Sequence, residues 1–190
     1  LDALRAGKLS ADDIARLEIP CTPVLVEGFR FMTGGTLMAA DLALDGVDRT
    51  AVHIGGGFHH AFAGRGEGFC VFNDVAIAVR RLQALGRIRR ACIVDLDVHQ
   101  GNGTNAVFTD DDSVYTFNMH GAKNFPFHKV SGSREEELDD GVGDDEYLTR
   151  LQAALPDVVR DARADLVVYL AWCRSLRRVG TGAGRLGRHR

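Results

Sequence analysis

No stretch of this 190-residue chain is long and apolar enough to cross a membrane as a helix. The longest uninterrupted run, Leu166 to Cys173, is strand-sized, against the roughly 18 residues such a span needs. The first residues lack the basic-then-apolar pattern of an export signal. Cys21, Cys70, Cys92 and Cys173 show no CxxC spacing, which argues against a disulfide scaffold and fits reduced thiols in a cytoplasmic protein. There is no internal repeat and no low-complexity linker. With 45% hydrophobic and 26% charged residues, collagen, coiled coil and disorder are excluded as well. What remains is a globular chain long enough for one domain with a core and short for two.

The net charge of −3 conceals an asymmetry. Between Cys173 and Arg190 lie six arginines, one histidine and no acid; without them the body carries 17 basic against 26 acidic residues, or −9. Glu135, Glu136, Glu137, Asp139, Asp140, Asp144, Asp145 and Glu146 form a dense acidic stretch. An acidic body does not invite nucleic acid.

Helical and strand signals alternate. Ser10 caps a helix running to Leu17, and a second helix is predicted over Thr36–Leu44, ended by Gly46. Thr50–Ile54 reads as a short strand before a glycine-dense loop. Phe72, Val75, Val79 and Leu82 recur at helical spacing. Ala91–Val94 and Ser113–Met119 read as strands, and His120–Gly143 as a long loop without regular structure. Leu148, Leu151, Leu155 and Val159 mark a helix interrupted or kinked at Pro156, and Asp165–Ala171 reads as a buried strand. Apolar strands separated by helices imply an α/β fold with a mostly parallel sheet, whose ligands sit beyond the carboxyl ends of the strands.

Two motifs stand at such ends. After Ala91–Val94 comes Asp95-Leu96-Asp97-Val98-His99-Gln100-Gly101-Asn102-Gly103. In extended chain Asp95, Asp97 and His99 share a face, and an Asp with a His can converge on a zinc-sized ion; a solvated surface turn is the bland alternative. After Thr50–Ile54 comes Gly55-Gly56-Gly57-Phe58-His59-His60-Ala61. A turn can present both histidines to one cavity, where histidine is the natural proton shuttle, although an exposed pair in a flexible loop would read the same way.

Taken together and in order, GGGFHHA, GRGEGFCVFNDVAIA (64–78), VDLDVHQGNGT (94–104), NMHG (118–121), NFPF (124–127) and DDEYL (144–148) resemble the zinc-dependent histone deacetylase family, most closely its class IV branch and bacterial relatives. The resemblance covers roughly residues 28–171. It implies a three-layer arginase/deacetylase-like fold and hydrolysis of the acetyl amide of an acetylated lysine or other acetylated amine, acetylpolyamines among them. Asp97 and His99 match two of three zinc ligands, and His59 and His60 match the tandem catalytic histidines. Asp95 matches the acid that orients the first histidine. Asn102 stands where some branches carry an Asp as partner of the second, which predicts weaker proton sharing there. Gly68, Phe69 and Phe125 match the walls of the acetyl-lysine channel. The resemblance further implies a structural potassium ion near the Asp95–His99 loop. The acidic body and the lack of a nuclear-type basic cluster or membrane-length run lead to the expectation of a cytoplasmic, bacterial protein without direct contact with nucleic acid or membrane.

The chain departs from this pattern after Ala171. The resemblance calls for Gly-x-Asp there, its Asp the third zinc ligand; this chain reads Trp172-Cys173-Arg174. A later tyrosine that would donate to the substrate oxyanion is missing, as is the opening strand, so the reading is a partial catalytic domain over 1–171, truncated at both ends. Residues 172–190 are expected to be a frameshifted tail outside the fold. Trp has the single codon TGG, so a frame shifted by one base begins with a glycine codon. Permitted codons for 172–178 then read Gly-Ala-Asp-Pro-Tyr-Ala-Glu, which restores the missing segment. The competing expectations are a genuine basic tail and a catalytically inactive fragment.

Overall fold

A computed structural model describes residues 2–171. Its elements are α1 (Asp2–Arg5), α2 (Ala11–Leu17), α3 (Pro23–Asp45), α4 (Asp74–Ala84), β1 (Ala91–Asp95), α5 (Asn102–Phe108), β2 (Val114–Gly121), β3 (Arg134–Leu138), α6 (Asp144–Ala162) and β4 (Leu166–Leu170). The strands form one parallel sheet in the order β3-β2-β1-β4. β1 is buried along its whole length, as a central strand covered on both faces must be. Its alternate residues serve two cores. Ala91 and Ile93 pack with Val75, Val79 and Leu82 of α4 and Phe108 of α5, with Ala40 and Leu44 of α3 against them. Cys92 and Val94 pack with Phe117 and Met119 of β2 and Ala154, Val158 and Ala162 of α6.

Several expectations need correction. The predicted helix 36–44 is the last part of the 23-residue α3. Thr22 caps it by accepting the Leu25 N–H at 3.2 Å, and Pro23 sits in the first turn, where its missing N–H costs nothing. Buried Val26, Phe29 and Thr33 hold the glycine-containing half in place. Residues 50–54 form no strand; Val52 and Ile54 are 84% and 95% exposed, so their apolar character marks no sheet position. The region 120–143 contains β3, an edge strand paired with β2 from Phe117↔Arg134 to Gly121↔Leu138. Its REEEL sequence suits an edge, where charge discourages further pairing. α6 runs through Pro156 without interruption, with Ala154, Val158 and Ala162 anchored in the core on either side of it. β4 is not a buried strand: Leu166 and Leu170 are buried, while Val167 and Tyr169 are 58% and 61% exposed. α6 lies over β1 and β2, which leaves that side of β4 open. The expected tail at 172–190 lies outside the described residues.

Phe117 is completely buried at the centre of the second core. Phe117→Ala is expected to destabilise the chain by about 3–5 kcal/mol, read as a lower urea midpoint at unchanged slope.

Candidate active site

Beyond Asp95 the chain curls instead of staying extended. The Asp97 N–H donates to Asp95 Oδ1 at 3.0 Å and the His99 N–H to Asp97 Oδ1 at 2.7 Å. A carboxylate that accepts from the backbone two residues on closes a tight local turn, and two such turns in succession replace the shared strand face expected from spacing. They bring His99 Nδ1 to 2.9 Å from Asp97 Oδ1. Burial pushes the Asp97 carboxyl up, but the His99 hydrogen bonds and the charge of His59 outweigh it, and its pKa lies below the usual value. Gly101 closes the loop. A Cβ there would stand 2.5 Å from Asp95 Oδ2 and 3.0 Å from Asn118 Oδ1.

The loop with the paired histidines is held from two helices. Asp74, in the first turn of α4, accepts the Gly57 and Phe58 N–H groups at 2.8–3.1 Å and a hydroxyl bond from Thr36. Asn73 caps α4 with its Oδ1 on the Ala76 N–H, while its Nδ2 donates to Ala61 O and Thr104 Oγ1. From α5, the Thr104 N–H donates to His59 O at 3.0 Å. Residues 59 and 60 lie in a turn, and their rings come within 4.1 Å, centroid to centroid.

The two rings have different outer partners. His59 Nδ1 donates to Asp95 Oδ2 at 2.6 Å, and His60 Nδ1 lies 2.8 Å from Asn102 Oδ1. The two Nε2 atoms are 3.1 Å apart. Burial disfavours the charged form of His59, yet Asp95 more than offsets it and the pKa is raised. For His60, burial acts first and the charge of His59 adds to it, lowering the pKa to about 3 despite the Asn102 bond. The two rings are therefore pushed in opposite directions, His59 toward the charged form and His60 toward the neutral one.

Phe125 stands edge-on to His60, with centroids 4.8 Å apart at 89°. Gly68 has φ +52, and a Cβ there would come within 2.9 Å of both the His60 and Phe125 rings. The structure thus brings His59, His60, Asp95, Asp97, His99, Asn102, Gly68 and Phe125 to one place. Phe69, next in the chain, is 57% exposed. Lys129 fixes the Phe125 segment by donating to Asn124 O and Pro126 O, both at 2.6 Å.

As a metal site the cluster is partial. Asp97 and His99 offer an oxygen and an imidazole nitrogen side by side, a donor pair suited to zinc. Among the described residues, however, no group of three or more His, Cys, Asp or Glu side chains is arranged to hold an ion. Arg174, at the expected third-ligand position, lies outside them.

Residues 3–178 match the histone deacetylase domain. The chain belongs to the histone deacetylase family. It is 40% identical over 146 residues to histone deacetylase 2 of Arabidopsis thaliana, covering 75% of this chain and 37% of that protein. It is 29% identical over 180 residues to the acetoin utilization protein AcuC of Bacillus subtilis, covering 86% and 46%. The crystal structure of a histone deacetylase homologue from Aquifex aeolicus superimposes with a TM-score of 0.75 at 26% identity, over 88% of this chain and 49% of that one. A homologue complexed with SAHA gives 0.72 at 26% identity, over 84% and 52%. The fold is the arginase/deacetylase-like one expected, and the chain spans about half the length of these relatives or less.

The motifs of this deacetylase-family chain assign no role to Glu135. Its Oε1 accepts from Asn105 Nδ2, Asn118 Nδ2 and the Gly132 N–H, and its Oε2 from Gln100 Nε2 and lies 3.1 Å from His120 Nε2. One carboxylate thereby ties β3, β2, α5 and the loop after His99 together beneath the site. Within an acidic run Glu135 looks solvated; the available signal was β3 itself, since Glu135 faces opposite to Glu136, which pairs with Arg150 of α6. Glu135→Gln places an amide donor among these donors. It is expected to cost about 2–4 kcal/mol, with faster hydrogen exchange at the Gly132 amide as the local signature.

Proposed function

We propose that this chain carries the catalytic half-site of a zinc-dependent deacetylase that hydrolyses the acetyl amide of acetyl-lysine. The observation that carries the reading is the pair His59 and His60, 3.1 Å apart at Nε2 and backed at Nδ1 by a carboxylate and an amide oxygen respectively, beside Asp97 and His99. Asp97 and His99 would hold the zinc. When bound, zinc supplies Lewis-acid polarisation of the acetyl carbonyl and lowers the pKa of attacking water from about 15.7 toward neutrality.

The rest falls to the chain's own groups. Neutral His60 has a lone pair at Nε2 to take the proton of the attacking water, and it returns that proton to the lysine nitrogen as the amide C–N bond breaks. His59 keeps its charge through Asp95 and stabilises the developing oxyanion electrostatically. Gly68 and Phe125 flank His60 and suit the methylene stem of a lysine. A potassium ion near the Asp95–His99 loop belongs to the same reading as a structural cation.

In an intact parent enzyme that carries the third ligand, His60→Ala is expected to lower turnover of an acetyl-lysine reporter by about 10²–10⁴-fold with zinc content unchanged, while Asp97→Ala loses the zinc. Substantial retained activity in the first variant, or lost zinc, overturns these roles.

A second reading rests on Arg174, a cation where the third ligand is expected: the chain as written does not retain zinc and turns nothing over. Metal analysis of the purified chain, with hydroxamate-sensitive hydrolysis measured in parallel, decides between the two. Near-stoichiometric zinc with activity excludes the inactive reading. Resequencing the codons for 171–178 tests its cause.

A further inference from the structure

The partner of His60 has a partner of its own. Asn102 is almost completely buried and donates from Nδ2 to Glu67 Oε1 at 2.8 Å. The Glu67 side chain, 16% exposed, is held from its other oxygen by Arg65 Nε at 3.3 Å. A carboxylate can only accept, so the end of the Asn102 amide that faces it must be the NH₂. The carbonyl end then has to face His60.

The consequence runs through the whole pair. With Asn102 presenting an acceptor, His60 must carry its proton on Nδ1, which leaves its Nε2 as a lone pair. In the metal-free chain that lone pair faces His59 Nε2 directly, at 3.1 Å, and an N–H on His59 is its favourable partner. Since His59 Nδ1 also donates to Asp95, His59 has both nitrogens protonated. If the amide turned round, two oxygens would face each other on the Glu67 side, and His60 would have to accept at Nδ1 instead. Polarisation along the chain acts in the same direction, because a carboxylate bonded to an amide NH₂ makes its carbonyl oxygen a stronger acceptor.

We infer that Glu67 is a positioning residue that fixes the tautomer of His60 through Asn102. The chain His60–Asn102–Glu67 is a relayed counterpart of the direct His59–Asp95 contact, with its negative charge set one residue further back. The inference rests on the proposed use of His60 only for its catalytic consequence; the tautomer itself is a property of the metal-free chain.

The test is ¹⁵N NMR of the histidine rings at neutral pH in the metal-free 190-residue chain, for the unmodified sequence, Glu67→Ala and Glu67→Gln. The unmodified chain is expected to show His60 protonated at Nδ1. In Glu67→Ala the preference for that tautomer should fall by roughly tenfold, the effect of losing one charge-assisted bond, with the His59 ring signals following. Glu67→Gln can still accept through its amide oxygen and should restore most of the preference, which a general loss of packing would not do. Unchanged His60 signals in Glu67→Ala overturn the inference, as does an Nε2-protonated His60 in the unmodified chain. Neither result depends on whether the chain binds zinc or hydrolyses an amide.

Discussion

Irregular backbone beyond the ends of parallel strands has no ladder to bond to, yet buried N–H groups must find acceptors. Besides Asp97, which takes the His99 N–H within its own turn, three acids meet much of that constraint while reaching across segments. Asp74 takes the N–H groups of Gly57 and Phe58, Asp95 takes that of Asp97, and Glu135 takes that of Gly132. Each also holds a side chain from another segment: Thr36, His59 and Gln100 respectively. Acceptor-only groups with several lone-pair sites can satisfy such loops without adding a donor that would itself need a partner. The loops that carry chemistry are therefore fixed by charge rather than by packing. In a low-dielectric interior that choice gives rigidity when complete and a large penalty when one member is removed.

The same economy separates the two histidines. They are neighbours in sequence, both nearly buried, with their Nε2 atoms turned to one spot. Their difference comes from what stands behind Nδ1: a carboxylate for His59, an amide oxygen for His60. A full negative charge in contact offsets the desolvation of an imidazolium, whereas a neutral dipole does not. Two imidazolium ions at this distance would also repel. Asn102 thus makes the pair unequal, which an aspartate at that position would do less well. An unequal pair can hold one proton in reserve and accept another.

Much of this arrangement could be read from residue order. β1 and α4 declared themselves by apolar runs and helical spacing, and the Asp95–Gly103 and Gly55–Ala61 motifs identified most of the residues that meet. What could not be read shares a cause. Strand β3 hides among acids because its role is at an edge, where the polar side chains of one parity reach α6 and those of the other support the site. Val52 and Ile54 look like a strand because exposed apolar residues carry the same local pattern as buried ones. The Asp95–His99 stretch was expected to be extended, but its own carboxylates compete with extended chain for the backbone and win. Glu67 and Glu135 were in view as letters, but Asn102, the partner that ties Glu67 to the site, lies 35 positions away and Gln100 and Asn105, partners of Glu135, lie 35 and 30 away, and no local period reports such a pairing.

The register of the sheet gives the departure at Arg174 its weight. β4 runs parallel to β1 with Leu170 opposite Asp95, and the Leu96 N–H donates to Leu170 O at 3.1 Å. The carboxyl end of β4 is thus level with the start of the Asp95–His99 turns. Asp97 and His99 sit within four residues of that junction and are already locked by their own turns. In the proposed zinc site Asp97 and His99 supply two donors, themselves paired at 2.9 Å, and the third is expected among the positions that follow Ala171 in sequence. A carboxylate would add the charge that zinc favours; an arginine adds a cation that cannot ligate. Among the described residues, the side-chain bonds that fix His59, His60, Asn102 and Glu67 involve no β4 side chain, although Asp95 itself is paired with Leu170 of β4.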